Sequence, residues 1–442
     1  MKMINLSKSR LFVAIYLVLI SIPFPGCSYT QKTDFPATST LPPAEATAMP
    51  SPTDKPLPSQ MPLSTDTPGS SSKILDKCIE IIQSPLPKLR GSLVLQHFIH
   101  GPLSKSEISL LDLEINKEKF ISKPGGEYFN NETVSPVGTY FAAETVTFSS
   151  NHDYQQGPIV IFDSDGNLVA RVELKQPSYG FTWLNEEQIL MNYPYEDDNP
   201  VFLISPFKGI QEKIRPFITD IFYPSDTSFL EWGFYGTHKN VYDPYMTRAL
   251  YPSSDENGPT IVLRDLEKKI DLASFSTLST HGNSPTWSLD GGKIAIALNV
   301  APFVSGGDVP YKYEIFVINR NGKKLLTTNL GSFSETTHIM NLSWSPNGRY
   351  IAFWYTNDKN RLFTNLQLAI LDTETLTTSR YCVNSGDDYL RFPPIWSPSS
   401  DYLILPYKAS EQEETFSSLL LNISNGKAWI IKLNYEPLGW LQ

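Results

Sequence analysis

The chain has 442 residues, 40% of them hydrophobic, and a formal net charge of −10 at pH 7. That length supplies one large or two ordinary globular domains. The negative balance argues against nucleic-acid binding, which needs clustered Lys and Arg to neutralise phosphates. Three cysteines are too few for a disulfide scaffold and lack the spacing of a zinc site.

The N-terminus reads as an export signal. Lys2, Lys8 and Arg10 form a positive start, followed by the apolar run "LFVAIYLVLISIPF" over 11–24. That run is short for a bilayer span, which takes about 20 residues. "FPGCS" comes next, with Gly26 directly before Cys27. The arrangement resembles a bacterial lipobox, and the resemblance implies that Cys27 becomes the acylated first residue of the mature protein. Phe24 and Pro25 depart from the Leu and the Ala or Ser preferred there, and ordinary signal cleavage or an uncleaved anchor are the alternatives. Residues 28–73, with 27 the end of the signal, are rich in Pro, Ser and Thr and have no apolar periodicity. Such a segment cannot bury enough surface to fold, and its prolines keep it extended, so a stalk is expected. A folded domain is expected over 74–442. If the chain is exported, Cys78 and Cys382 either pair, fastening the start of that domain to a late segment, or remain as two buried free thiols.

From about residue 91, short apolar runs alternate with Gly, Pro, Asn and Asp, and no helical period is sustained. "GSLVLQHF", "EISLLDLE", "GPIVIFD", "NPVFLIS", "PTIVLRD", "YEIFVINR", "LQLAILD" and "SSLLLNIS" read as strands. Asp165-Gly166, Asn321-Gly322 and Asn425-Gly426 mark hairpins, because these dipeptides tolerate the positive φ of a type I′ turn.

One sentence recurs. "LSWSPNGRYIAFWY" (342–355), "PTWSLDGGKIAIAL" (285–298) and "PIWSPSSDYLILPY" (from Pro394) each place a Trp seven residues before an aliphatic: Trp344 before Ile351, Trp287 before Ile294, Trp396 before Leu403. Val134 and Phe141 fit the same frame, and Trp183 and Ile189 fit it one residue short. The tryptophans at 183, 232, 287, 344, 396 and 440 recur at the period of propeller blades, roughly 40–50 residues. Each interval holds two hairpins, hence four strands, and such units bury their faces by stacking radially.

"WSPNGRYIAF" resembles the WD40-like PD40 repeat of TolB-type β-propellers: Trp344, Ser345, Pro346, Gly348, Ile351, Ala352 and Phe353 match its pattern, as do Trp287, Ser288, Asp290, Gly291, Ile294 and Ala295. The resemblance implies an all-β, seven-bladed propeller of four-stranded antiparallel blades, and specifies no substrate. Seven units are expected to begin near 91, 134, 181, 230, 285, 342 and 394. The strand containing Trp440 would complete blade one and close the ring, leaving no free edge.

Chemistry is harder to find. The six histidines form no HExxH or comparable pattern, and neither a G-x-S-x-G elbow nor a phosphate loop occurs. His97 and His100, three apart in a strand, point to opposite faces. "SLDGG" at 288–292 begins like a sialidase Asp box, and "DSDGN" at 163–167 like a calcium loop, but both read better as hairpin turns. No metal or cofactor is expected. Long, varied connections between hairpins nominate one face for binding. In the fourth unit, "GFYGTHKNVYDPYM" after Trp232 reads as an aromatic insertion on the opposite face, with Phe234, Tyr235, Tyr242 and Tyr245 gripping a sugar or peptide, plugging the channel or packing on a neighbour. The expected role is a monomeric, lipid-anchored, extracytoplasmic binding or assembly module for a protein or envelope component. The alternative is a glycan-active enzyme using acids such as Asp197, Asp198 and Asp308.

Overall fold

Buried β-rich runs bounded by turn formers pair with their neighbours in sequence, and the sixth repeat shows how. In the computed structural model, His338–Trp344, Tyr350–Thr356, Gln367–Asp372 and Thr377–Asn384 form successive antiparallel strands from the centre outwards. Six consecutive residues of the second strand, 351–356, are buried. A strand covered on both faces carries continuous rather than alternating apolar residues, and a blade wedged between two others is covered in that way.

The structure describes residues 69–71, 73–99, 105–121, 128–148, 154–174, 180–192, 201–214, 242–255, 258–277, 285–301, 312–330, 337–356, 366–384, 393–407, 417–433 and 435–442. The signal segment, Cys27 and nearly all of the stalk lie outside them. Seven sheets are present among the described residues, and they are the blades of a seven-bladed β-propeller. Seven apolar clusters occupy the seven junctions between neighbouring blades, including the junction between the last blade and the first. The core is therefore a circle of thin layers around an axis.

The expected closure is present. Tyr435–Leu441 is the inner strand of blade one and pairs antiparallel with Ser92–Ile99, with Trp440 opposite Leu93. Each of the eight runs read as strands contributes one.

Two expectations need correction. Among the described residues the fourth blade's inner edge is Tyr242; Trp232 lies outside them. Tyr242 bridges Ala249, seven residues on, so "YDPYMTRA" occupies the repeat's own frame with Tyr in the Trp place. Its turn is tight rather than an insertion. Asp243 accepts the main-chain N–H of Thr247 and Arg248 at 2.6 and 2.8 Å, and Met246 takes the left-handed φ of 54°. The second correction concerns turn type. At Asp165-Gly166, Asn321-Gly322 and Asn425-Gly426 only the glycine has positive φ, so these hairpins close by a turn with a glycine bulge rather than by type I′.

The N-terminal side of the ring holds a feature with no counterpart in the repeats. Gly69–Ser71, Lys73–Lys77 and Glu80–Ile81 pair in parallel with the outermost strands of blades five, six and seven in turn. The segment is a strap along the rim, entering the ring at blade one. Asp76 and Arg380 make a bidentate pair at 2.7 and 3.0 Å across it. One residue beyond Lys77, the Cys78 and Cys382 sulfurs stand 3.1 Å apart, both exposed rather than buried.

Candidate functional site

The repeated Trp-Ser sentence builds the end of the ring where the first and second strands of each blade are joined. In blade six the buried Ser345 hydroxyl accepts the N–H of Tyr350 at 2.8 Å and donates to Asn347 at 2.7 Å, while Gly348 supplies φ of 67°. Blade five repeats this with Ser288, Asp290 and Gly291, and blade seven with Ser397 and Ser399, Ser400 standing at φ of 65°. Ser135 does the same work in blade two, accepting from Thr139 and Tyr140. The Ser is thus a local organiser of the turn, which explains its recurrence without a catalytic role.

The tryptophans fasten blades together. Trp344 Nε1 donates to the Thr286 carbonyl of blade five at 3.0 Å, and Trp396 Nε1 to the Ser343 carbonyl of blade six at 3.1 Å. Trp440 Nε1 donates to the Arg90 carbonyl at 3.2 Å, and Trp183 is fully buried between blades two and three. All four rings are part of the packing between blades.

Neighbouring turns are also laced to one another. Glu186 in blade three accepts from Ser135 Oγ and the Val137 N–H in blade two, and Asn185 donates to the Pro244 carbonyl of blade four. Arg320 of blade five bonds Asp243 and Thr247 of blade four at 3.2 and 2.7 Å. Lys293 reaches the Gly348 carbonyl, Asn347 N–H the Ser400 hydroxyl, and Gln442 the Gly138 and Val137 carbonyls. Among the described residues, six of the seven junctions are tied in this way.

Inside this laced rim lies a cavity of about 370 Å³ lined from all seven blades. Val137, Tyr245, Trp287, Leu289, Pro346 and Pro393 are among its lining residues, with Val137 and Tyr245 exposed. Tyr245 is 59% exposed, and the Arg320 guanidinium sits 5.8 Å from its ring centroid. Gly291 lets that ring lie against the blade-five turn, since a Cβ there would come within 3.1 Å of it. Glu186 is the carboxylate of the described lining, and both of its oxygens are engaged by blade two. The described lining is suited to holding an apolar or aromatic group.

Of the four aromatics nominated in the fourth unit, the two that are described, Tyr242 and Tyr245, both line the cavity, and Tyr245 is the exposed one. Tyr242 is buried between blades three and four, while Phe234 and Tyr235 lie outside the described residues, as do Asp197, Asp198 and Asp308. His97 stacks on Tyr435 at 4.6 Å, and His100 lies outside the described residues. Val137 and Leu289 were not singled out by sequence, and Pro346 only as a match to the repeat. Their signal was available, because each follows the repeat's Ser by one or two residues.

Asp163, Asp290 and Asp372 cap turns on this same end of the ring. Burial pushes each carboxyl up, but hydrogen bonds outweigh it and hold each below the usual value of 3.8. The donors are Asn167 and Asp165 for Asp163, Ser288 and Gly292 for Asp290, and Arg349 for Asp372. A depressed folded pKa adds stability that is complete above the unfolded value and lost as pH falls through the folded one. The thermal midpoint is expected to hold from pH 7 to about 5 and to drop below about pH 4. Asp290→Asn should make that acid loss shallower, and melting curves at pH 6 and pH 3 check it.

No protein-family model matches the chain, and no curated protein does. Among solved structures, the Cps50 (Swd1) beta-propeller domain of Myceliophteria thermophila is similar at 12% identity and a TM-score of 0.40, covering 79% of this chain and 100% of that one. A eukaryotic initiation factor is similar at 11% identity and 0.38, covering 79% and 97%. Hydrazine synthase of Kuenenia stuttgartiensis gives 11%, 0.27, and coverage of 72% and 70%. These likenesses concern fold alone.

Proposed function

We propose that this propeller is a non-catalytic binding or assembly module of the TolB-type, PD40-repeat kind, held outside the cytoplasm by a lipid on Cys27 and monomeric as a ring. The reading of the anchor rests on the positive start, the apolar run of 11–24, Gly26-Cys27 and the Pro/Ser/Thr-rich stretch that follows. The subtype rests on the match of 344–353 and 287–295 to the repeat pattern.

The observation that carries the binding role is the mouth. Its rim is fixed by turn-to-turn hydrogen bonds, so little freedom is lost when a ligand seats, and preorganisation of that kind favours affinity. Its lining is aromatic, proline-rich and apolar, the composition of the anchoring centre of a protein contact. A partner protein inserting one apolar or aromatic side chain beside Tyr245 fits this surface best.

The full-length chain, immobilised and challenged with envelope extract, tests the proposal. A protein partner recovered by the native chain is expected to be lost at least about tenfold with Tyr245→Ala combined with Val137→Asp, since a central aromatic is worth about 2 kcal/mol or more. Equal recovery by both would place binding elsewhere on the ring. Recovery of a shortened glycan instead would favour the enzyme.

A further inference from the structure

We propose that Cys78 and Cys382 form an intrachain disulfide that rivets the strap to the rim of blade six. Lys77 and Tyr381 are register partners in the parallel pairing of strap and outer strand, so the two cysteines are the next pair along. Adjacent strands lie about 4.8 Å apart, and disulfides span Cα separations of roughly 4.4–6.8 Å. The sulfurs already stand 3.1 Å apart. Both side chains are exposed, so an oxidant reaches them without opening the ring. The Asp76–Arg380 pair, two residues away, holds the strands in that register at 2.7 and 3.0 Å. The thiol hydrogen shared with Cys78, and burial, also push the Cys382 thiol up, as expected for two sulfurs in direct contact.

The oxidant is a low-molecular-weight or protein disulfide. One cysteine thiolate attacks it, forms a mixed disulfide and releases one thiolate. The second cysteine thiolate then attacks the mixed disulfide and releases the other. Two protein thiols lose two protons and two electrons, and one external disulfide becomes two thiols. The bond closes a loop of 304 residues, running from the strap into the outer strand of blade six. In the reduced protein the strap is held by main-chain pairing, the Asp76–Arg380 pair, Lys77 against Tyr381 and the Ile423 carbonyl, and partly buried Ile74 and Ile79. None of these is a covalent tie, so it can peel from blades five to seven. In the oxidised protein the residues on either side of Cys78 cannot leave together. This inference is independent of what the mouth binds.

The test uses the full-length chain after treatment with oxidised glutathione, with reduced protein alongside. Peptide mapping without reductant should recover residues 78 and 382 in one cross-linked species, absent from Cys78→Ser and Cys382→Ser. Tryptic cutting at Lys77 should slow by about tenfold or more on oxidation, because cleavage follows the population of the peeled state. Asp76→Ala should speed that cut in the reduced protein and leave it slow in the oxidised one. Three results would overturn the proposal: both thiols alkylated freely after oxidant, either cysteine bridged instead to Cys27 or to a second chain, or a cross-link that leaves the cutting rate unchanged.

Discussion

Removing residues 435–442 is expected to abolish cooperative folding. Those residues supply the inner strand of blade one and the layers on both of its sides. Trp440 and Tyr435 pack against blade seven, while Leu441 is fully buried against blade two. Gln442 donates from its main chain to the Gly138 carbonyl at 2.9 Å and from its side chain to the Val137 carbonyl at 2.7 Å. Large apolar side chains contribute about 1.5–3 kcal/mol each on burial, so three of them approach the 5–15 kcal/mol that separates a folded domain from its unfolded chain. The truncation also bares the main-chain edge of Ser92–Ile99, and an unpaired edge recruits other chains. Loss of the near-ultraviolet dichroism and elution as aggregate are the expected readouts. A truncated chain that melted sharply as a monomer would show that the ring does not depend on its closing strand.

Trp354→Ala should cost about 3–5 kcal/mol, the range for deleting a buried Trp. Trp354 is fully buried in the layer between blades six and seven, with Leu368, Leu403 and Leu419 in the same cluster. Backbone on both sides is fixed by strand pairing, so the space left behind cannot collapse easily. Trp344→Phe is the informative companion. It keeps most of a ring in the layer between blades five and six and removes the indole donor to the Thr286 carbonyl, 3.0 Å away. That change should cost the packing difference plus about 0.5–1.5 kcal/mol for the hydrogen bond. Urea unfolding measures both, and an unchanged slope with a lowered midpoint identifies each as a loss of stability. If Trp344→Phe proved the more damaging, the tryptophans would act chiefly through their N–H groups.

The architecture was readable because the repeat carries its own turn chemistry. A Ser hydroxyl that accepts from five residues on, a residue free to take positive φ, and a large ring before them form a local unit, written most clearly at 344–353. Blade four hides the same unit behind three substitutions: Tyr242 for Trp, Asp243 for Ser, Met246 for Gly. Each replacement keeps the physical role and changes the letter, and the Trp at 232, ten residues earlier, drew the frame away. The strap escaped for a different reason. Gly69–Ser71 and Glu80–Ile81 have neither length nor apolar pattern, because they join edges that already exist and need only main-chain groups. Loop length pointed to the opposite end of the ring, and of the residues lining the mouth the sequence reading nominated for binding only the pair Tyr242 and Tyr245. The side chains gathered at the mouth come from seven distant places in the chain, and no local pattern announces that they meet.

Blade one also sets an order of events. Trp440 bonds the carbonyl of Arg90 across 350 residues of sequence. Strands 92–120 are therefore made first and completed last. At about 5–20 residues per second, they wait roughly tens of seconds with an unpaired inner edge while six further blades emerge. Any machinery that moves or guards the nascent chain must protect that edge for the whole interval, and a pause late in synthesis prolongs the exposure.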